Sequence, residues 1–218
     1  SMQRRNQKLL EETPSKIIDK KTRNYIGNLT VEALKKIEYS GAGTVEYLYE
    51  NNKFYFMEMN TRLQVEHPVT EEITKFDLVK EQINIANNLK LSKKQNEIIF
   101  CGHSIECRVN AEDPISFMPS PGKINNFHTP GGPGIRVDSG CYSGINIPPY
   151  YDSMIAKLIV YGEDRDTCLA RLDRALSEFV IEGIKTTIPF YQEIIKEKEF
   201  LKGNYDIHWV ESYMKLKK

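Results

Sequence analysis

The chain has 218 residues, long enough for one large or two small domains with a hydrophobic core. Its 30 lysines and arginines balance its 30 aspartates and glutamates, so the zero formal net charge gives no general electrostatic attraction to nucleic acid. No apolar run approaches the ~20 residues of a membrane span and no signal peptide is visible, so we expect no membrane partner. The four cysteines lack CxxC spacing, which favours free thiols and a cytoplasmic location over a disulfide or a zinc site.

The first half of the chain is predicted to contain two helical regions on either side of a β-hairpin. Residues 19–37 show apolar residues at helical spacing. Two aromatic-rich runs then flank the polar turn Asn51-Asn52-Lys53, a pattern typical of a hairpin. The second helical region follows Pro68, with Asp77 as its N-cap. Its predicted apolar stripe consists of Leu78, Val79, Ile83 and Ala86.

The polar, lysine-rich stretch 87–97 indicates a boundary in the chain. We therefore predict one domain over residues 1–97 and another over residues 98–218, with a single compact unit as the alternative.

The second half is predicted to contain an alternating strand at residues 104–110 and an apolar strand at residues 154–161. Residues 164–180 show the clearest helical spacing in the chain, and Gly183 is predicted to end that helix. A last helix is predicted to begin near Ile188, with proline in its first turn. Strands and helices without strict alternation predict an α+β fold.

The exit of the hairpin carries an unusual density of polar side chains. They are Glu58, Asn60, Arg62, Gln64 and Glu66. All five positions have the same parity, so an extended backbone would place them on one face. Two carboxylates, an arginine and two amides in one row indicate a site for cations and an oxyanion. The alternative is an ordinary amphipathic hairpin with a solvated acidic face.

The register of the hairpin decides whether Glu46 joins this row. A plain two-residue turn would put Glu46 and Glu58 on opposite faces, whereas a three-residue loop or one bulge would place them side by side. Neighbouring carboxylates repel each other, and a divalent cation would reverse that effect. Because Mg²⁺ prefers oxygen ligands and often binds together with substrate phosphates, we predict that Glu46, Glu58 and Asn60 form a metal site facing a nucleotide.

Residues 54–70 (FYFMEMNTRLQVEHPVT) resemble the signature of biotin carboxylases, which belong to the ATP-grasp superfamily. Five further segments resemble blocks of that family in the family's order. They are residues 1–8 (SMQRRNQK), 41–44 (GAGT), 103–114 (HSIECRVNAEDP), 119–123 (PSPGK) and 148–153 (PPYYDS). Several ordered blocks over nearly the whole chain are far more specific than one short motif.

The resemblance implies the C-terminal half of an ATP-grasp fold followed by the biotin carboxylase C-terminal domain, without the N-terminal domain and the lid. It implies MgATP-dependent carboxylation of biotin by bicarbonate, the first half-reaction of acetyl-CoA carboxylase. ATP and biotin would be substrates, with two Mg²⁺ or Mn²⁺ ions bound beside ATP. The implied partners are a biotin carboxyl carrier protein and a second copy of the chain. Without the lid's phosphate contacts and exclusion of water, the chain alone is expected to be inactive.

The resemblance also implies roles for individual residues. Metal ligands would be Glu46, Glu58 and Asn60; bicarbonate would contact Lys8, Arg62, Gln64 and Val65; ATP would contact Gln3, Asn6 and Leu48. The catalytic residues would be Arg62, Glu66 as the base that deprotonates bicarbonate, and Arg108, which would bind biotin and stabilise its enolate. Asn6 departs from the histidine of many relatives, although an asparagine can still donate a hydrogen bond to the nucleotide.

Several alternatives stay open on the sequence. The chain could belong to pyruvate carboxylase or to another acyl-CoA carboxylase. It could be a non-catalytic dimerisation module, since Arg136 lies in a block that resembles part of the family's dimer interface. A different ATP-grasp ligase, such as a carbamoyl-phosphate synthase relative, would share residues 64–68, but the blocks at 103–114 and 148–153 favour biotin carboxylase. For Arg108 by itself, the alternative role is an ion pair with Glu106.

Overall fold

The computed structural model describes residues 1–217, which form two compact units. The hairpin unit contains Pro14–Phe100. The sheet unit combines Ser1–Thr13 with the chain from Cys101 onward. Both strands and helices are present, so the predicted α+β class is confirmed. None of the helices in the described residues has the length and apolar character of a membrane span.

The strands and helices alternate irregularly along the chain. The strands are β1 (Met2–Arg4), β2 (Gln7–Thr13), β3 (Thr44–Glu50), β4 (Lys53–Asn60), β5 (His103–Asn110), β6 (Gly122–Lys123), β7 (Asn126–His128), β8 (Ile135–Ser139), β9 (Asn146–Ile147), β10 (Met154–Gly162) and β11 (Val180–Glu182). The helices are α1 (Lys20–Lys36), α2 (His67–Thr74), α3 (Leu78–Ala86), α4 (Arg165–Glu178), α5 (Ile188–Ile194), α6 (Lys198–Lys202) and α7 (Trp209–Leu216), with a 3-10 turn at Gln95–Glu97.

An antiparallel sheet of five strands, in the order β1-β2-β5-β10-β8, forms the centre of the sheet unit. The predicted strand is present as β5, and its apolar residues Ile105, Cys107 and Val109 are fully buried. Ser104 and Glu106 of the opposite parity are fully buried too, so both faces of β5 are covered. Helix α4 buries one face in the same core, through Cys168, Leu172, Ala175 and Leu176. Burying one large apolar side chain contributes about 1.5–3 kcal/mol, so this core stabilises the sheet that carries Arg108.

The N-terminal strands belong to the sheet unit, although the predicted domain of residues 1–97 includes them. The division into domains 1–97 and 98–218 therefore stays a prediction. Strand β2 pairs with β5 from Leu10 opposite Cys107 to Thr13 opposite Ser104. These inter-strand hydrogen bonds join segments far apart in sequence, and local sequence patterns do not reveal such pairings. The one predicted boundary, after residue 97, lies close to the division at Phe100.

Side-chain caps begin the three principal helices. Asp19, Asp77 and Asp164 each accept a hydrogen bond from the backbone N–H three residues later, at 2.7, 2.8 and 2.7 Å respectively. Such caps satisfy an otherwise unpaired helical N–H group. The predicted starts of these helices are therefore confirmed, as is the start of α5 with proline in its first turn.

Two helix predictions are wrong in detail. Helix α4 ends at Glu178, and Gly183 instead follows β11 at a φ of 100°, where an added Cβ would lie 2.2 Å from the Lys123 carbonyl oxygen. The helical region after Pro68 contains an additional short helix, α2, which ends where Lys75 adopts the left-handed conformation, before α3 begins at its predicted N-cap Asp77. The predicted stripe on α3 is not a core face, since Val79 and Ile83 are exposed.

Candidate active site

A β-bulge places Glu46 beside Glu58. Asn51 and Asn52 form a two-residue turn with φ values of 49° and 60°, and Glu50 pairs with Lys53 across it. Glu46 nevertheless lies opposite Glu58, because the register shifts between Glu46 and Tyr47 and leaves one extra residue on β4. The bulge alternative of the sequence prediction is thus confirmed, and the three-residue loop is not formed.

Two amide groups connect the acidic side chains. The Asn60 Nδ2 group donates hydrogen bonds to Glu46 Oε1 at 3.1 Å and to Glu58 Oε1 at 3.0 Å. Gln64 Nε2 donates to the same Glu46 oxygen at 2.6 Å. These donors offset part of the repulsion between the carboxylates without cancelling their charge.

This arrangement fits a hard divalent cation. Two carboxylates and an amide that can present its oxygen are the ligand types that Mg²⁺ selects. In the described residues 1–217, no group of three or more His, Cys, Asp or Glu side chains is arranged to hold a metal. The protein therefore offers two carboxylates at this place, a number typical of magnesium sites in which substrate phosphates complete the coordination.

The two faces of the hairpin differ in chemistry. Tyr47, Tyr49, Phe54 and Phe56 form edge-on or tilted ring contacts on one face. The Tyr47 hydroxyl lies 2.8 Å from Thr30 Oγ1 of α1, which ties this face to the helix. Leu48 lies on the opposite face, opposite Tyr55 and with the same parity as Glu46, and is 43% exposed. The carboxylate face therefore also presents an accessible apolar side chain.

The predicted single row beyond Asn60 is wrong, because β4 ends there and none of the next six residues lies in a strand. Arg62 is exposed, and its Nη1 group donates to the Leu63 carbonyl at 3.2 Å. Val65 and Glu66 are half-buried, and Glu66 directly precedes α2. Turns, rather than an extended strand, bring Gln64 back to Glu46.

Gln64 is the buried member of the group. Its side chain donates through Nε2 to Glu46, and its backbone carbonyl lies 2.7 Å from His67 Nδ1 at the start of α2. Its Oε1 atom is buried and has no hydrogen-bond partner within residues 1–217. An acceptor left unpaired in this way costs about 1–3 kcal/mol, so a ligand that donates a proton to it would gain binding energy.

The remaining predicted residues belong to the sheet unit. Gln3 on β1 lies directly opposite Lys8 on β2. Asn6 follows Arg5 in the turn between these strands, and their φ values are 63° and 49°. Asparagine tolerates this left-handed conformation better than most residues, which gives a structural reason for asparagine at position 6.

Arg108 lies on β5 and pairs with a buried carboxylate from β2. Glu11 Oε1 accepts from Arg108 Nε at 2.8 Å and from Arg108 Nη2 at 2.5 Å. The sequence analysis missed Glu11, because the two residues are 97 positions apart in the chain. The adjacent acidic pair Glu11-Glu12, directly after the apolar Leu9-Leu10, was the available signal.

Glu12 points to the other side of β2 and is surrounded by donors. His103 Nε2 lies 2.8 Å and Arg165 Nε 2.9 Å from its Oε2 atom, and the Tyr205 hydroxyl donates to Oε1. Burial by itself would raise the pKa of Glu12, but these hydrogen bonds outweigh it and lower the pKa from 4.5 to about 2. Arg165 also donates to the carbonyls of Phe200 and Leu201, so this group links β2 to α4 and α6.

Two family models match successive parts of the chain. The "Carbamoyl-phosphate synthase L chain, ATP binding domain" matches residues 1–94, and the "Biotin carboxylase C-terminal domain" matches residues 106–212. Biotin carboxylase 1 of Bacillus subtilis (strain 168) is 56% identical over 216 residues, which is 98% of this chain and 48% of that protein. The chain belongs to the biotin carboxylase family. It spans about half the length of the curated relatives it matches.

Other similar proteins come from carboxylases with different names. A pyruvate carboxylase subunit of Methanothermobacter thermautotrophicus is 54% identical over 214 residues, covering 98% of this chain and 44% of that protein. A biotin carboxylase domain dimer of the Hydrogenobacter thermophilus 2-oxoglutarate carboxylase, solved with MgADP, ADP and bicarbonate, has a TM-score of 0.95 and 48% identity. That match covers 98% of this chain and 48% of the solved chain. The family is therefore clear, whereas the names of these relatives differ in the molecule that receives the carboxyl group.

Proposed function

We propose that this chain takes part in the MgATP-dependent carboxylation of biotin by bicarbonate. The observation that carries this proposal is the hydrogen-bonded group of Glu46, Glu58, Asn60 and Gln64 at the hairpin exit. Support also comes from the similar Hydrogenobacter thermophilus domain, which was solved with MgADP and bicarbonate.

Glu46, Glu58 and Asn60 would hold Mg²⁺ or Mn²⁺, with two ions beside ATP. Both ions accept carboxylate and amide oxygens. The bound cations would neutralise charge on the ATP phosphates during phosphoryl transfer. Asn60 would turn its amide so that Oδ1 replaces Nδ2 toward the cation. Gln3, Asn6 and the exposed Leu48 would contact the nucleotide.

Lys8, Arg62, Gln64 and Val65 would bind bicarbonate. The Arg62 guanidinium can pair with two oxygens of a planar oxyanion, and the buried Gln64 Oε1 atom can accept the bicarbonate O–H. The bicarbonate O–H would then turn from Gln64 to Glu66, which would take up the proton as a bicarbonate oxygen attacks the terminal phosphate of ATP and displaces ADP, giving carboxyphosphate. Arg62, Gln64 and Glu66 would thus supply a donor, an acceptor and a base from one short segment, and Lys8 a further donor from β2.

Arg108 would bind biotin and stabilise the enolate that forms when the ureido group loses its proton. A fixed guanidinium lowers the energy of negative charge that develops beside it. We propose that biotin arrives on a biotin carboxyl carrier protein. We favour acetyl-CoA carboxylase as the parent system, with pyruvate carboxylase or another acyl-CoA carboxylase as the alternative.

A homodimer is proposed for the sheet unit. Strand β8 is an edge strand of the five-stranded sheet, and Arg136 lies on it in a bidentate pair with Asp138 at 2.8 and 2.9 Å. An edge strand offers backbone groups and side chains to a second copy. A chain whose only role is dimerisation would associate in the same way but would bind no nucleotide.

The proposed function is tested by ATP cleavage in the complete product of the gene, measured with and without bicarbonate and free biotin. We expect bicarbonate to stimulate cleavage, and Glu66→Gln to lower kcat by about 100- to 10,000-fold, as for loss of a general base. Thr70→Ser on the exposed side of α2 is the control and should retain wild-type rates. Absence of bicarbonate-dependent cleavage in the wild-type protein would contradict the proposal and favour the dimerisation module.

A further inference from the structure

Glu11 holds the guanidinium of Arg108 from one side. A single carboxylate oxygen accepts from both Nε and Nη2, so the contact fixes the plane of the guanidinium as well as its position. The Glu11 side chain is 6% exposed and the Arg108 side chain is 18% exposed. A charge-assisted pair shielded from water in this way is stronger than the same pair on the surface.

The main chain of Arg108 is held separately. The Tyr191 hydroxyl, which is fully buried, lies 2.7 Å from the Arg108 carbonyl and 2.8 Å from the Leu9 carbonyl of β2. Thr187 Oγ1 donates to the same Arg108 carbonyl at 3.2 Å. Both the backbone and the end of this long side chain are thus constrained, and β2 contributes to each constraint.

We propose that Glu11 is a positioning residue for Arg108 in carboxyl transfer to biotin; this inference rests on the proposed function. Arginine side chains have many rotamers and therefore high conformational entropy when free. An arginine that must stabilise a developing negative charge works best when that entropy is lost before the reaction. Glu11 orients the guanidinium and does not touch biotin, so its loss should affect the biotin step and spare ATP cleavage.

Glu12 provides a matched control on the next residue of the same strand. It is also a buried carboxylate bonded to an arginine, but its partner is Arg165 and its surroundings are His103 and Tyr205. Glu12→Gln therefore perturbs the same strand and a similar ion pair without removing a contact of Arg108. Any general effect of disturbing β2 should appear in both variants.

The test measures two reactions of the intact protein in one preparation. The first is bicarbonate-dependent ATP cleavage without biotin, and the second is its stimulation by free biotin. For Glu11→Gln we expect biotin carboxylation to lose about 10- to 100-fold in kcat, as for misplacement of a reacting group, with the KM for ATP unchanged. The rate of ATP cleavage without biotin should stay within about twofold of wild type, because Glu11 positions Arg108 and Arg108 is proposed to act only on biotin. Glu12→Gln should lower both rates in parallel, in proportion to the folded fraction.

Three results would overturn the inference. Equal losses in both reactions of Glu11→Gln would show a structural role, and no loss in either would show that Arg108 is oriented without Glu11. A wild-type protein with no bicarbonate-dependent ATP cleavage would overturn the proposed function as well, and this outcome is distinct from the first two. If Glu11→Gln does not fold, Glu11→Asp keeps the charge but shortens the side chain, and it should show the same selective loss in the biotin step.

Discussion

The hairpin and the sheet treat their acidic residues in opposite ways. On the hairpin, Glu46 and Glu58 lie side by side and share the amide donors of Asn60 and Gln64. In the sheet, Glu11 and Glu12 are each buried against an arginine. Amide donors leave the carboxylate charge in place, whereas an arginine neutralises it. The hairpin therefore retains charge that a cation can use, and the sheet uses its carboxylates to hold other groups.

The largest expected effect comes from removing the arginine that pairs with Glu12 in the sheet. Arg165→Ala would leave Glu12 buried without its arginine and would remove the bonds to Phe200 and Leu201. We expect the free energy of unfolding to fall by about 3–5 kcal/mol, measured by urea denaturation. The control is Arg174→Ala, whose pair with Glu178 is partly exposed and is worth only about 0.3–0.5 kcal/mol. Similar losses in the two variants would contradict the structural role of the Glu12 group.

Acid should weaken the hydrogen-bonded group around Glu12. The pKa of Glu12 is lowered from 4.5 to about 2, so its ionised form stabilises the fold above pH 4.5 and this stabilisation is lost as the pH falls toward 2. The lowered pKa of Glu12 corresponds to about 3 kcal/mol of folding free energy at neutral pH. Urea midpoints measured across this range should fall less steeply in Glu12→Gln than in wild type. Parallel curves would show that other carboxylates dominate the acid response.

Glu46→Gln should disrupt the proposed cation site on the hairpin. The substitution removes one of the two neighbouring carboxylates, while the bulge still places residue 46 opposite Glu58. We expect Mg²⁺-dependent ADP binding to weaken by at least about 10-fold, measured by isothermal titration. Glu50→Gln, at the exposed end of the same strand, should bind as wild type does. Unchanged binding in Glu46→Gln would show that Glu46 does not belong to the cation site.

The smallest effect concerns the turn. Asn52 has a φ of 60°, which glycine adopts at no steric cost. Asn52→Gly should raise the free energy of unfolding by less than about 1 kcal/mol, because Asn-Gly is the preferred two-residue turn. A thermal melt measures this change. A lower melting temperature would mean that the turn is not of the type its φ values indicate.

The sequence predicted local features well and distant pairings poorly. The helix starts at Asp19, Asp77 and Asp164 and the juxtaposition of Glu46 with Glu58 followed from residues within one element or one hairpin. By contrast, the pairing of β2 with β5, and with it the Glu11–Arg108 contact, depends on which strands meet in the folded sheet. A single sequence does not contain that information locally.

The errors near the site have a similar cause. Parity predicted one face for Glu58 through Glu66, but parity holds only while the backbone is extended, and β4 ends at Asn60. Gly183 was assigned to a helix stop, although it is required where the chain passes close to the Lys123 carbonyl. In both cases the residue types indicated a special role, but the sequence did not reveal the backbone conformation that places those residues.

The central claim is that Glu46, Glu58 and Asn60 bind a divalent cation together with a nucleotide. Its most direct test is an isothermal titration of the chain with ADP, with and without Mg²⁺, comparing wild type with Glu58→Gln. We predict that Mg²⁺ strengthens ADP binding by about 10-fold or more in wild type, and that most of this gain is lost in Glu58→Gln. A Mg²⁺ effect of equal size in both proteins, or none in wild type, would contradict the claim.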